Sequence, residues 1–427
     1  MNTSFRATPP PTRPFADIKL PEEEIIRLAG DIDLHVVNTG ELPVSRFGIY
    51  WEGGLAEAPS QAVASIAGGS MWMATRAYSP ESLADVIDFN GAKIHSRLAD
   101  HFTCLELTTL NSHFDALLPV IGSIASEASF PDKLVAVERS KASAELALLE
   151  TQVGHVAGRI LRGLLHGLSN PTNHNITPAE LDAVTAAQCR DAYSSMLLSH
   201  KSAFLGGAFD HSTIDTVCRF LESLPLGTLH PMRVVKYEPE PVQRVDIPMP
   251  DAKQAAVAMG LPTIGRDHPD YITLRLAVMA LGGYFGSRLM ANIRERLGLT
   301  YGISAGLLGS REGAYMEISA HTDASTVDQV IEETRKEIAL LAANPPRGEE
   351  LHRLKQHAWS ALAASVDKST SILGIFITRL LVATPPDYFQ SQLRTIESLT
   401  ADDIARVTTL YLHPAALRIA TAGPSRV

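Results

Sequence analysis

Apolar positions along the chain fall into two periods. Between Leu34 and Gly53, short β-prone runs such as 44–51 alternate with turn signals, which predicts antiparallel strands, and 102–109 reads as another. Helical spacing follows each group. Ser79-Pro80 supplies an N-cap and a preset first position, Leu83, Val86 and Ile87 recur on one face, and Asn90-Gly91 stops the helix. Longer helical patterns run through Leu117, Leu118, Ile121 and Ile124, then through Val156, Ile160, Leu161, Leu164 and Leu165. Thr185 with Gln188 three positions on is a capping-box pattern, and it leads into the apolar run 203–208, a buried strand.

The same succession returns half a chain length later. Thr400 stands before Asp403, Ile404, Val407, Leu410 and Tyr411 recur at helical spacing, and the run 417–422 ends at Gly423. Cap, helix and strand repeated in one order predict a degenerate duplication. The proline- and charge-rich stretch between the halves (Pro231, Pro239, Pro241, Pro248, Pro250) predicts a linker. The expected organisation is an extended arm at 1–28, a first domain at 29–225, a linker at 226–250 and a second domain at 251–427. Each domain would be α+β, an antiparallel sheet packed with helices.

Composition narrows the function classes. Of 427 residues, 45% are hydrophobic and 20% charged, which excludes wholesale disorder. With 37 basic and 47 acidic residues the net charge is −10, and a general nucleic-acid binder needs the opposite balance. Cys104, Cys189 and Cys218 show no C-x-x-C spacing and read as small apolar residues in a reducing compartment. No run reaches the roughly 18 apolar residues of a membrane helix. The amino terminus lacks a secretory core, and Pro9, Pro10, Pro11 and Pro14 suggest an extended arm, so a cytoplasmic protein is expected. Dinucleotide, P-loop and nucleophile-elbow motifs are absent.

The most informative stretch runs from Gly282 to Gly302: a glycine-rich turn, a helix with Leu289, Met290, Ile293 and Leu297 on one face, a stop at Gly298 and a strand from about Tyr301. Taken by itself, it makes Arg294 and Arg296 neutralise the helix's C-terminal dipole and Tyr301 a strand aromatic. The segment, however, closely resembles the second-domain signature of the pitrilysin/insulinase family of zinc peptidases, with its Gly-rich turn, Ser-Arg-Leu, helical Arg and Leu-x-Tyr. Ser79 to Gly91, Ile176 to Leu181 and the strand containing Gly206-Gly207 are similar too, so the resemblance spans most of 30–427.

The resemblance implies that Arg294 and Tyr301 hold a substrate backbone beside a zinc ion, as donors to a carbonyl or developing oxyanion. It also implies that Gly282, Gly283 and Gly286 permit close backbone approach. The family's zinc helix reads H-x-x-E-H. The corresponding region here, Ser65 to Thr75, contains neither His nor Glu, and Glu145, near the third-ligand position, cannot hold zinc alone. Among the fifteen histidines, His95 with His101 and His352 with His357 lack ligand spacing.

The expectation is therefore a subunit with no metal and no cofactor of its own. It would be inactive alone and would lend Arg294 and Tyr301 to a partner chain that bears H-x-x-E-H and zinc, in a heterodimer acting on peptides. The alternatives are a catalytically silent scaffold, a peptide-binding homodimer, and a lone metallopeptidase with unusual ligands.

Overall fold

The computed structural model describes residues 18–38, 43–228 and 235–425. The prolines at 9–14 and Pro231, assigned above to the arm and linker, lie outside them. The first half runs β1 (Glu24–Leu28), β2 (Ile32–Asn38), β3 (Val44–Glu52), α1 (Gln61–Ser70), α2 (Pro80–Phe89), β4 (Lys93–Leu98), β5 (Phe102–Leu110), α3 (Asn111–Glu127), α4 (Asp132–Leu149), α5 (Val153–His166), α6 (Pro178–Asp182), α7 (Ala186–Leu197), β6 (Lys201–Gly207) and α8 (His211–Glu222). The second runs β7 (Arg244–Pro248), β8 (Ala255–Thr263), α9 (Tyr271–Gly282), a π-helix (Met290–Arg296), β9 (Thr300–Gly309), β10 (Ala314–Thr322), α10 (Val327–Ala343), α11 (Gly348–Ser365), α12 (Ser369–Val382), α13 (Tyr388–Ser398), α14 (Ala401–Tyr411) and β11 (Arg418–Gly423). The architecture is α+β. Two expectations need adjusting: Glu24–Leu28, assigned to the arm, pairs with β2, and Arg244–Pro248, inside the expected linker, pairs with β11.

The described strands form two sheets, ordered β1-β2-β6-β3-β5-β4 and β7-β11-β8-β10-β9. Leaving out β1, the orders correspond strand for strand, including the parallel pairs β2/β6 and β7/β11. Glu106 of β5 lies opposite Gly48 of β3, and Glu317 of β10 lies opposite Gly260 of β8, so the duplication extends to single residues. The capping boxes at Thr185/Gln188 and Thr400/Asp403 both form, each launching the helix that feeds the parallel-paired strand of its half, β6 beside β2 and β11 beside β7.

One face of each sheet packs on helices of its own half: Phe47, Leu105 and Leu107 against Phe114 and Ile121, and Val257, Met316 and Ile318 against Leu274, Val330 and Ile331. The other face is covered by a helix from the opposite half. Val156, Ala157, Leu161 and Leu165 of α5 lie on Ala256, Ala258, Ala420 and Ala422 of the second sheet. Ile372, Leu373, Phe376 and Ile377 of α12 lie on Val37, Tyr50, Phe102, Cys104 and Phe204 of the first. Small residues make room for this: a Cβ at Gly206 would sit 2.9 Å from Leu373, and one at Gly260 would sit 3.0 Å from Leu165. Each large apolar side chain so buried contributes about 1.5–3 kcal/mol, so the exchange couples the halves strongly.

The turn between β9 and β10 adds an electrostatic staple. Arg311 donates to the carbonyls of Leu380 and Leu381 at the end of α12 and lies over the Phe102 ring. Beside it, the His101 ring of the first half is held between Glu57 and Glu312, with Glu312 fully buried. Burial alone would depress the His101 pKa, but Glu312 and Glu57 outweigh it and raise it to about 9. The same contact, against burial, holds Glu312 below the ordinary carboxylate range.

Linkage sets the sign. A raised histidine contributes stability that is present below its unfolded value and is lost as pH rises through about 9. The depressed Glu312 contributes stability lost as pH falls below the ordinary carboxylate range. Urea midpoints should therefore fall on both sides of a neutral plateau. His101→Gln, which leaves two carboxylates facing each other, should lower stability by about 3–5 kcal/mol at neutral pH and flatten the alkaline limb.

Candidate substrate-binding site

The stretch singled out by sequence is locally irregular at both expected residues. Residues Met290–Arg296 form a π-helix, with the Leu297 amide donating to the Asn292 carbonyl at 2.9 Å, five residues back. Leu289 and Ile293 anchor this turn in the core. Gly298, at φ +64°, reverses the chain into β9. Single π turns inside helices recur at functional sites.

The arginines of this segment separate by partner. Arg288 forms a two-pronged ion pair with Glu350 at 2.7 and 3.0 Å. Arg296 donates to the Asn292 side chain and lies 3.7 Å from Glu333. The Arg294 side chain makes no ion pair and no hydrogen bond among the described residues; its guanidinium rests over the Phe285 ring, 4.8 Å from the centroid. An exposed cation–π contact of that kind is worth about 0.5–1 kcal/mol and leaves the in-plane N–H donors free. Dipole neutralisation thus describes Arg296 better than Arg294.

Tyr301 is presented by a second irregularity. Ile303 pairs with Ala320 and Thr300 with Thr322, so His321 alone faces both Tyr301 and Gly302 across a β-bulge. The Thr300 hydroxyl pins it, donating to the His321 carbonyl at 2.6 Å and accepting from the Gly302 amide at 3.1 Å. A bulge re-aims a side chain, and Tyr301 is 90% exposed, far more than a strand aromatic requires. Arg294 and Tyr301 are not hydrogen-bonded to each other; a single left-handed turn separates their elements. Sequence reasoning missed Phe285, 64% exposed in the Gly-rich turn; an aromatic among glycines was its only signal.

The glycines of that turn serve the fold. A Cβ at Gly282 would meet the Ala305 backbone nitrogen at 2.6 Å, one at Gly283 the Met279 Cα at 2.7 Å, and one at Gly286 the Tyr284 ring at 3.1 Å. They allow the turn to pack closely on its own surroundings.

Begun at Ser65, the H-x-x-E-H pattern falls on Ser65-Ile66-Ala67-Gly68-Gly69 of α1. A Cβ at Gly68 would sit 1.8 Å from Leu98 Cδ1, and one at Gly69 would sit 2.4 Å from Glu138 Oε1. A side chain at either position would have to displace a neighbouring side chain, and the residues present, without a His or Glu, do not fit a zinc ion. The carboxylate that meets α1 is Glu138, two helical turns before Glu145, which is exposed on α4. Glu138 is buried, with Lys141 Nζ at 3.5 Å its nearest cation. Among the described residues no group of three or more His, Cys, Asp or Glu is placed to hold a metal. His95 pairs with Glu106, and His357 stacks on Tyr284.

Comparison with known proteins gives this geometry a context. Residues 183–357 match the family described as the Peptidase M16 inactive domain. The chain is similar to the pitrilysin-type M16 peptidases. An uncharacterized zinc protease of Streptomyces coelicolor is 22% identical over 79% of this chain and 75% of its own. The M16 inactive domain from Pseudomonas fluorescens superposes with a TM-score of 0.86 at 20% identity, covering 95% of this chain and 98% of that one. The periplasmic protease PqqL from Escherichia coli superposes at 0.79 and 14% identity over 98% of this chain and 48% of that chain. The residues of α1 thus differ from H-x-x-E-H at the positions that would supply its ligands and carboxylate. No helix among the described residues is long and apolar enough to cross a membrane.

The packing of α1 makes a prediction of coupling. Gly69→Ala gains helix propensity of up to about 1 kcal/mol but displaces the Glu138 carboxylate, so the gain should be smaller in the natural chain than in a Glu138→Ala background. Urea unfolding of the four proteins measures the coupling, expected at about 0.5–3 kcal/mol.

Proposed function

We propose that this chain is the zinc-free half of a two-chain peptidase and lends Arg294 and Tyr301 to a partner bearing H-x-x-E-H. The observation that carries the reading is the pairing of an arginine without a counter-ion on a π turn with a tyrosine turned outward by a bulge. Donors left unoccupied at two local departures from regular structure fit a substrate-binding role. This chain covers about half of PqqL, a length relation that fits a peptidase built from two such halves. The partner's zinc would activate water. The part of this chain is to bind: the guanidinium and phenol donate to the peptide carbonyl, and a carbonyl oxygen gaining charge accepts those bonds more strongly.

A catalytically silent scaffold, or a peptide-binding homodimer, is the second reading, favoured by the glycines that stand at the H-x-x-E-H positions of α1. Co-expression with an H-x-x-E-H chain distinguishes them. Arg294→Ala and Tyr301→Phe should each lower kcat/KM for a peptide by about 10²–10³ while the complex still elutes intact. An unchanged rate in both variants would overturn the proposal in favour of the scaffold.

A further inference from the structure

A cavity of about 270 Å³ lies between α9, α12, α13 and the segment after β8, on the side of α12 turned away from the first sheet. Its lining includes Arg266, Arg275 and Arg379 and no Asp or Glu. Arg379 is neutralised by the buried Glu23. The other two are not neutralised. Arg275 donates only to the Gln392 amide oxygen, Arg266 lies beside the Tyr271 ring, and neither forms an ion pair among the described residues. The Nε atoms of both arginines and the hydroxyls of Tyr271 and Tyr388 are sealed from solvent without a hydrogen-bond partner. The charges lie close enough together that both guanidinium groups act on the Tyr271 hydroxyl, which burial raises above its ordinary value.

Two half-buried cations side by side repel each other, and buried donors are ordinarily satisfied. Three of these orphaned donors, on Arg266, Arg275 and Tyr388, belong to side chains that line one acid-free cavity, and they point to an acceptor that carries negative charge. A guanidinium matches an oxyanion with parallel N–H bonds, which is the geometry that favours phosphate and carboxylate. The volume admits only a compact ligand.

We propose that this cavity binds a compact oxyanion with at least two negative charges, of the phosphate or small-dicarboxylate class, between Arg266 and Arg275 with the Tyr388 hydroxyl beside them. Gly374 and Thr378 of α12 line the cavity as well, so the anion joins the crossing helix to the second half.

The test titrates the full purified chain with phosphate and, separately, succinate against chloride at matched ionic strength, followed by calorimetry and thermal unfolding. Saturable binding of either, with a raised Tm, is expected, and the arm that responds names the source. Arg266→Gln and Arg275→Gln should each weaken the response at least about tenfold. In anion-free buffer Arg275→Gln should be no less stable than the natural chain, because it removes a repulsion. Tyr388→Phe, which deletes one hydroxyl, keeps the test open if an arginine variant fails to fold, and it too should weaken binding. No saturable binding of either anion, or binding undiminished in every variant, would overturn the proposal. So would an arginine variant equally destabilised with and without the anion.

Discussion

Everything in this molecule depends on the exchange of two helices. Each sheet has one face closed by its own half and the other closed by a helix sent from the opposite half, α5 onto the alanines of β8 and β11, α12 onto the aromatic face around Tyr50 and Phe204. Neither sheet could shed its borrowed helix without exposing a continuous apolar surface to water. The halves are consequently one body, and the turn that carries Arg311 and Glu312 is fixed against the first half by a caged histidine and the end of α12.

Within that body one duplication has had two outcomes. The connection between β3 and β4 in the first half holds α1, where two adjacent glycines are overlaid by Leu98 and Glu138. The corresponding connection between β8 and β9 holds the π-helix, where Arg294 has no anion to satisfy it, and leads into the bulge that exposes Tyr301. In chain order α1 corresponds to α9 and α2 to the π-helix, and the first half spends α1 on packing. The second keeps donors in water, which is compatible with the fold but contributes little to it.

How far the sequence could be read follows from how local each cause is. Thr185 with Gln188 and Thr400 with Asp403 specify helix starts within four residues, so the caps and the duplication were visible. Arg294 and Tyr301 were visible through their neighbourhood in the chain. The π turn and bulge that present them were not, because both are set by how β9 registers on β10 and how Leu289 and Ile293 seat in the core. The crossing of α5 and α12 was hidden as well, since an apolar stripe such as Val156, Leu161 and Leu165 states that a helix is buried but not against which sheet. Glu138 could not be told from Glu145 for the same reason: both lie on one helix, and only the packing of α4 on α1 selects between them.

The central claim is that the Tyr301 side chain meets a peptide held by another chain. The direct measurement is photo-crosslinking from Tyr301→p-benzoylphenylalanine in the complex with an H-x-x-E-H partner whose motif glutamate has been neutralised, in the presence of a labelled peptide. The account predicts a crosslink to the peptide that unlabelled peptide competes away and that does not form without the partner. Crosslinking to the partner's surface alone, unaffected by peptide, would contradict it.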